Sequence, residues 1–351
     1  MICGFGACRL SFSLKSIDPG DAKFQMVMFH TLGRSGIEVS ALGLGCWAIG
    51  GPFEDQGGWM GYGTVDDAES RRALHRAIDL GVTFFDTSDV YGCGHSERLL
   101  GQVLREHRHQ MVITAKFGYT FDETRRCVTG KDGSPTYIQQ ACEASLRRLG
   151  RDYIDVYQFH LHDYDLVRAA EVRDTLEYLV AQGKIRFYAW ATEDPDRIRL
   201  FAAGDHCTAS PQLLNLVDAN QQTLDLCDEF DLACIARRPL GMGLLTGKYD
   251  AGSTFAENDM RRRFGWNLKD GKQAQILNKI NHLQDILTRG DRTLVQGALA
   301  WIWARHPRAI PIPGFKTVAQ VEENLKALDF GPLSNEDFDH IERIKSVVSS
   351  Q

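Results

Sequence analysis

The sequence predicts an α/β protein, a (β/α)8 TIM barrel preceded by an N-terminal β-hairpin. Three observations carry that reading. From residue 41 onward, eight short apolar segments alternate with longer stretches of helical period, the pattern of parallel strands joined by helical returns. The first strand-to-helix junction, Gly45-Cys46-Trp47-Ala48-Ile49-Gly50-Gly51, lacks the GxGxxG spacing that opens a doubly wound dinucleotide fold. A length of 351 residues with 43% hydrophobic content suits one barrel with a large core.

Taken in order, residues 1–28 show neither helical nor strand period. They read as an N-terminal extension, either disordered or lying ahead of the true start of translation, since Met26 and Met28 immediately precede the first patterned segment. The barrel domain is expected over 29–346. It opens with Phe29–Leu32 and Ile37–Ser40 flanking Gly33-Arg34-Ser35-Gly36, a hairpin with a glycine-containing turn that would plug one end of a barrel. The candidate strands are Ala41–Gly45, Thr83–Asp86, Met111–Lys116, Ile154–Phe159, Ile185–Trp190, Gln212–Leu216, Leu232–Ala236 and Ala309–Pro313. Helix starts are signalled by Thr64 three residues before Asp67 and by Ser134 followed by Pro135; Ala73, Leu74, Ala77 and Ile78 form the apolar stripe of the first helix. The long segment from Gly247 to Lys269 has little period and reads as a loop, folded over a ligand or simply solvated.

Composition limits the partners. A formal charge of −6 argues against nucleic acid, which needs clustered Lys and Arg. Nine cysteines without a CxxC pair point to a reducing compartment and no structural zinc. No apolar run reaches the length of roughly 18 residues that crosses a bilayer, and no secretory leader is evident, so a cytoplasmic location off the membrane is expected. The sequence leaves the oligomeric state open.

Chemistry in such a barrel sits at the C-terminal ends of the strands. Asp86 ends one strand with Tyr91 in the loop beyond it, Lys116 ends the next, and His160 follows another. Singly, each has an ordinary structural explanation, except that a lysine ending a buried strand requires a partner, for which Asp86 is placed. Together they suit carbonyl reduction. Lys116 would lower the pKa of the Tyr91 phenol, Asp86 would hold the lysine, neutral His160 would hydrogen-bond the substrate oxygen, and Tyr91 would deliver the proton.

These stretches resemble the aldo-keto reductase family over residues 29 to about 328. The resemblance lies in Gly43-Leu44-Gly45-Cys46-Trp47, Phe85-Asp86-Thr87-Ser88-Asp89-Val90-Tyr91-Gly92, Gly94-His95-Ser96-Glu97, Lys116-Phe117-Gly118, Asp155-Val156-Tyr157-Gln158-Phe159-His160, the run Pro239 to Tyr249, and Ile312-Pro313-Gly314 through Glu323-Asn324. It implies the catalytic four Asp86, Tyr91, Lys116 and His160. It also implies a nicotinamide dinucleotide, NADP(H) with NADH as the alternative, lying across the barrel mouth without a metal. The implied cofactor positions are Gly45, Cys46, Trp47, Ala191, Thr192, Gln212, Arg237, Pro239, Leu240, Gly241, Gly243, Leu244, Lys248, Gly314, Lys316, Gln320, Glu323 and Asn324. Lys316, at a helix start, would meet a 2′-phosphate with its charge and with exposed N–H groups. The chain departs from the family at Ala191-Thr192, where a serine and an amide or threonine are usual. It departs again at Arg237, which replaces a stacking aromatic, in the spacing of Gln212 to Asn215, and at Gln320, where NADPH-preferring members often carry arginine.

Trp47, Trp59, Tyr62 and His162 are candidates for the substrate pocket, or for ordinary loop packing; as walls they suit a small-molecule aldehyde, ketone or sugar-derived carbonyl. Two other readings stand beside the reductase. His160-Leu161-His162-Asp163 suggests a metal-dependent hydrolase, but no matching ligands occur on other strand ends. The second is a non-catalytic, cofactor-sensing subunit of the same fold.

Overall fold

The computed structural model describes residues 11–16 and 24–349. Eight parallel strands, Leu44–Gly45, Phe84–Asp86, Val112–Phe117, Ile154–Phe159, Ile185–Trp190, Cys207–Leu213, Ala233–Arg237 and Ile310–Pro311, pair in chain order. A parallel bridge between Gly45 and Gly314, with the Gly45 amide donating to Pro313 O at 3.0 Å, joins the last to the first and closes the barrel. Five strands match the expected segments within about a residue. The first and eighth are shorter than expected because Pro311 and Pro313 have no amide to extend the ladder.

The sixth strand corrects the sequence reading. It runs Cys207–Leu213, not Gln212–Leu216, and its Cys-Thr-Ala-Ser-Pro start lacks the large β-branched residues that mark a strand. Past it, Asn215 Oδ1 accepts from the amides of Val217 and Asp218 at 2.9 Å, a turn rather than a strand.

The hairpin pairs Phe29 with Ser40, His30 with Val39 and Thr31 with Glu38. Leu32, Ile37 and Val39 pack into the barrel interior against Phe84, Val112, Val156, Ala209, Ala233, Ile235 and Ile310, so the hairpin does plug one end. Gly33 lies too close to the strands for any side chain: its φ is +52°, and a Cβ would come within 2.2 Å of Thr208 O. Part of the stretch 1–28 that lacked period in the sequence is strand: Ser11–Ser16 pairs antiparallel with Phe24–Phe29, extending the hairpin. The remainder of that stretch lies outside the described residues.

The helices cover the outer faces of the strands and build the larger apolar core. Ser134 caps the helix Pro135–Leu149 as expected, accepting from the Tyr137 amide at 3.3 Å. At the helix Asp67–Asp79 the cap is Asp66, not Thr64: Asp66 Oδ1 accepts from the Ala68 amide at 2.8 Å, while the Thr64 hydroxyl meets Asn258 at 3.1 Å. Over the mouth lies a second sheet that the sequence did not suggest, made of Phe53–Asp55, Gly58–Met60, Tyr119–Asp122 and Cys127–Lys131. The segment Gly247–Lys269 contains a single helical turn, Met260–Arg263, clasped to this sheet by Arg263 donating to Gly58 O at 3.0 Å. No helix among the described residues is long and apolar enough to cross a membrane.

Candidate active site

Alternation along three neighbouring strands builds the site. Phe84, Val112 and Val156 point into the barrel, so Asp86, then Thr114 and Lys116, then Gln158 and His160 follow on the same inner face toward the C-terminal ends. Register brings them together: Asp86 pairs with Thr114, and Lys116 with Gln158. Lys116 Nζ bonds Asp86 Oδ1 and donates to Thr87 O at 3.0 Å. Asp86 Oδ2 accepts from Thr114 Oγ1 at 2.6 Å and from Gln158 Nε2 at 3.0 Å. Lys116 is 1% exposed and Asp86 2%, so this is a buried ion pair whose remaining lone pairs are hydrogen-bonded. Burial pulls the Lys116 pKa down, and the Asp86 charge opposes that shift.

Tyr91 lies above the pair, its ring 5.2 Å from Lys116 Nζ. Trp47 stacks on it at 5.5 Å with the planes 8° apart. Burial, reinforced by Asp86, raises the phenol pKa, while Arg237 and Arg238 pull it down. The expected low phenol pKa is therefore corrected: burial outweighs the neighbouring cations, and the phenol keeps its proton. The His160 ring stands edge-on to Tyr91 at 6.1 Å. Its pKa is held well below the usual range, first by burial and then by His162, Lys116, Arg237 and Arg238, so the imidazole is neutral.

A cavity of about 680 Å³ opens over this tier. Of the residues singled out in the sequence, it is lined by Gly45, Trp47, Tyr62, Asp86, Tyr91, His160, His162, Arg237, Pro239, Leu240, Gly243, Lys248, Gly314, Lys316, Gln320, Glu323 and Asn324. Lys116 sits just beneath, covered by its partners. The others lie elsewhere. Gln212 points outward and is tied to Thr223 and to Cys227 Sγ at 3.0 Å, because alternation from Ala209 turns it toward the helices. Thr192 caps the next turn through the Asp194 amide at 3.1 Å, and the Ala191 carbonyl is taken by His162 Nδ1. Cys46 and Leu244 belong to the apolar core, while Gly241, at φ +55°, turns the chain. Trp59 is half-buried on the Gly58–Met60 strand, outside the cavity lining.

Several contributors went unnoticed in the sequence, among them four that shape the site. Arg238 lies over Trp47 at 5.8 Å, Tyr119 and Val128 come from the second sheet, and Arg261 enters from the long loop. Only the Arg261-Arg262-Arg263 run carried a signal. Arg261 is buried, paired with Asp259 Oδ2 at 2.6 Å, and hydrogen-bonded to Tyr249 Oη at 2.5 Å.

One end of the cavity suits a phosphorylated ligand. Lys248, Arg261 and Lys316 line it, Lys316 has its pKa lowered by burial and by its two cationic neighbours against the pull of Asp259, and the buried Asn324 Nδ2 has no partner among the described residues. Gly243 leaves bare backbone, since a Cβ there would meet Tyr249 Cε2 at 2.9 Å. The expected free amides at the helix start are not available, however. The Lys316 amide donates to Gln320 Oε1 at 2.7 Å, that of Val318 to Glu69 Oε1 at 2.9 Å, and Lys316 Nζ rests on Tyr62 O at 2.5 Å and Thr64 O at 3.1 Å. Arg237, which replaces the family's stacking aromatic, is held by Glu193, with its Nε buried and without a partner among the described residues.

A tyrosine and a histidine above a buried ion pair, at the mouth of a parallel barrel, are the arrangement of a barrel oxidoreductase. The Aldo/keto reductase family model matches residues 41–346, and the chain belongs to that family. It is 32% identical over 302 residues to aldo-keto reductase yakc [NADP(+)] of Schizosaccharomyces pombe, covering 83% of this chain and 84% of that protein. It is 30% identical over 309 residues to probable aldo-keto reductase 1 of Glycine max, covering 85% and 83%. Among solved structures it resembles the glycerol dehydrogenase of Gluconobacter oxydans (26% identity, 90% and 94% covered, TM-score 0.77). It also resembles an aldo/keto reductase from Klebsiella pneumoniae in complex with NADP and acetate (26%, 90% and 94%, TM-score 0.64).

Removing one member of the buried pair strands the other. Lys116→Met is expected to cost about 3 kcal/mol of stability, read as a shifted urea midpoint; an unchanged midpoint would show that Asp86 does not depend on the lysine.

Proposed function

We propose that this chain, through a catalytic domain spanning 29–346, reduces an aldehyde or ketone to the alcohol using NADPH, with Tyr91 as the general acid. The observation that carries the reading is the Tyr91 phenol beside the His160 imidazole, both lining one cavity above the Asp86–Lys116 pair. The bound nicotinamide supplies a hydride to the carbonyl carbon. The oxygen then gains charge, and an alkoxide is basic enough to take the proton even from a phenol whose pKa is raised. His160 steadies that oxygen through a ring N–H, while Lys116 and Arg237 offset the charge left on the phenolate.

Lys248, Lys316, Gln320, Glu323 and Asn324 would receive the adenosine and phosphate end. Gly45, Trp47, Arg237, Pro239, Leu240, Gly243 and Gly314 would line the path to the reacting end. NADPH is favoured over NADH by the three cations gathered at that end of the cavity and by the NADP named for the yeast and Klebsiella relatives. Trp47, Tyr62 and His162, with Phe53, Met60, Tyr119 and Val128, make walls suited to an apolar or ring-bearing carbonyl.

Purified protein should consume NADPH with aromatic aldehydes or ketones, and Tyr91→Phe should lower turnover roughly 100-fold or more while leaving cofactor affinity nearly unchanged. Full activity in that variant would sink the proposal. Tight NADPH binding with no consumption of any carbonyl would instead favour a cofactor-sensing role. Lys316→Ala should weaken NADPH roughly tenfold and NADH much less, since only the former carries a 2′-phosphate; equal losses would remove the phosphate role from Lys316.

A further inference from the structure

We propose that Ser88 and Asp89 are positioning residues that set the tautomer of His160: Asp89 donates to Ser88 Oγ, and Ser88 donates to His160 Nδ1. This rests on the reading of His160 as the hydrogen-bond donor to the substrate oxygen.

A neutral imidazole carries one N–H, and only the nitrogen that holds it can donate. Nδ1 of His160 faces Ser88 Oγ at 3.3 Å, which leaves Nε2 as the nitrogen for the cavity. If Ser88 donates, the ring proton resides on Nε2 and the cavity meets an N–H. If Nδ1 donates instead, the cavity meets a lone pair, which repels a carbonyl oxygen. The direction of one buried hydrogen bond therefore decides whether His160 can assist reduction.

Ser88 is fully buried and has a single proton with three acceptors in reach: His160 Nδ1, Asp89 Oδ1 at 3.3 Å and Lys116 O at 3.5 Å. The Lys116 carbonyl already accepts from the Asp89 amide at 3.1 Å, which weakens its claim. The contest is between the imidazole and Asp89. An ionised carboxylate would win, because charge-assisted hydrogen bonds are roughly twice as strong as neutral ones.

The surroundings of Asp89 favour its neutral form. It is 1% exposed, and no cation forms an ion pair with it among the described residues. Arg148, whose charge acts on it, is engaged by Glu97 at 2.6 Å and Glu123 at 2.9 Å. Glu97, fully buried beside it, adds repulsion, and burial followed by Glu97 raises the Asp89 pKa well above the carboxylate range, outweighing Arg148, the Val90 amide and the Ser88 hydroxyl, which pull the other way. A neutral carboxyl has an O–H of its own. Donating it to Ser88 Oγ satisfies that oxygen and leaves the serine proton for Nδ1. Asp89 is held in place for this by its backbone, which also accepts from the Gly94 amide at 2.6 Å.

The test is side-chain 15N NMR of the intact protein, with the His160 signals assigned by their loss in His160→Phe. The expected wild-type spectrum has a protonated Nε2 and a bare Nδ1. Ser88→Ala should shift that ratio toward Nδ1–H and lower kcat on the order of tenfold with cofactor Kd unchanged. Asp89→Asn should preserve both tautomer and kcat, because the amide Nδ2 donates to Ser88 as the neutral carboxyl does. A wild-type proton on Nδ1, a tautomer indifferent to Ser88→Ala, or an Asp89→Asn variant that behaves like Ser88→Ala would each overturn the relay. The spectrum needs no turnover, so it decides the relay even if the wild type reduces no carbonyl, a result that would count against the function alone.

Discussion

The site depends on the ion pair between Lys116 and Asp86, held inside the barrel where neither charge reaches water. Withdrawing two ions from solvent costs several kcal/mol each, and their attraction repays this only if every remaining polar atom is also bonded. Here Thr114, Gln158 and the Thr87 carbonyl complete the set. Those partners come from adjacent parallel strands, so they meet only in the observed register. A slip by one residue would turn Lys116 out toward the helices and leave Asp86 alone in the interior. Strand pairing and active-site chemistry are therefore one constraint.

Above that tier the loops do a different job. Trp47, from the loop after the first strand, lies flat on Tyr91, and Arg238, in a left-handed backbone conformation at φ +50°, reaches over the indole. The long loop after the seventh strand is sewn to the loop after the first. Tyr62 bridges Asp259, the Met260 amide donates to Gly61 O at 2.9 Å, and Arg263 holds Gly58. These bonds wall the cavity. They also set its character: aromatic and apolar toward Tyr119 and Val128, cationic toward Lys248 and Lys316.

What could be read from the sequence follows from how locally each feature is encoded. Strand alternation and motif spacing bring Asp86, Tyr91, Lys116 and His160 to one end of the barrel, because each is tied to a strand end by a few residues of chain. The sixth strand was misplaced because small residues and Pro211 hide its period. Gln212 turns toward the helices with it, since facing in or out depends on register rather than identity. The second sheet, Arg261 and the Glu69 contact to the Val318 amide could not be foreseen, as they join segments up to 249 residues apart. The Tyr91 pKa is raised rather than lowered, because a pairwise argument from Lys116 leaves out burial, which outweighs the neighbouring cations.

The central claim is that a hydride and a proton meet one carbonyl in this cavity, the proton coming from Tyr91. The most direct measurement is to supply NADPH labelled with deuterium at the nicotinamide C4 and examine the alcohol by mass spectrometry. The account predicts one deuterium on the former carbonyl carbon, from one face of the nicotinamide only. An alcohol formed without the label from either face, or with label scrambled by solvent exchange, would contradict it.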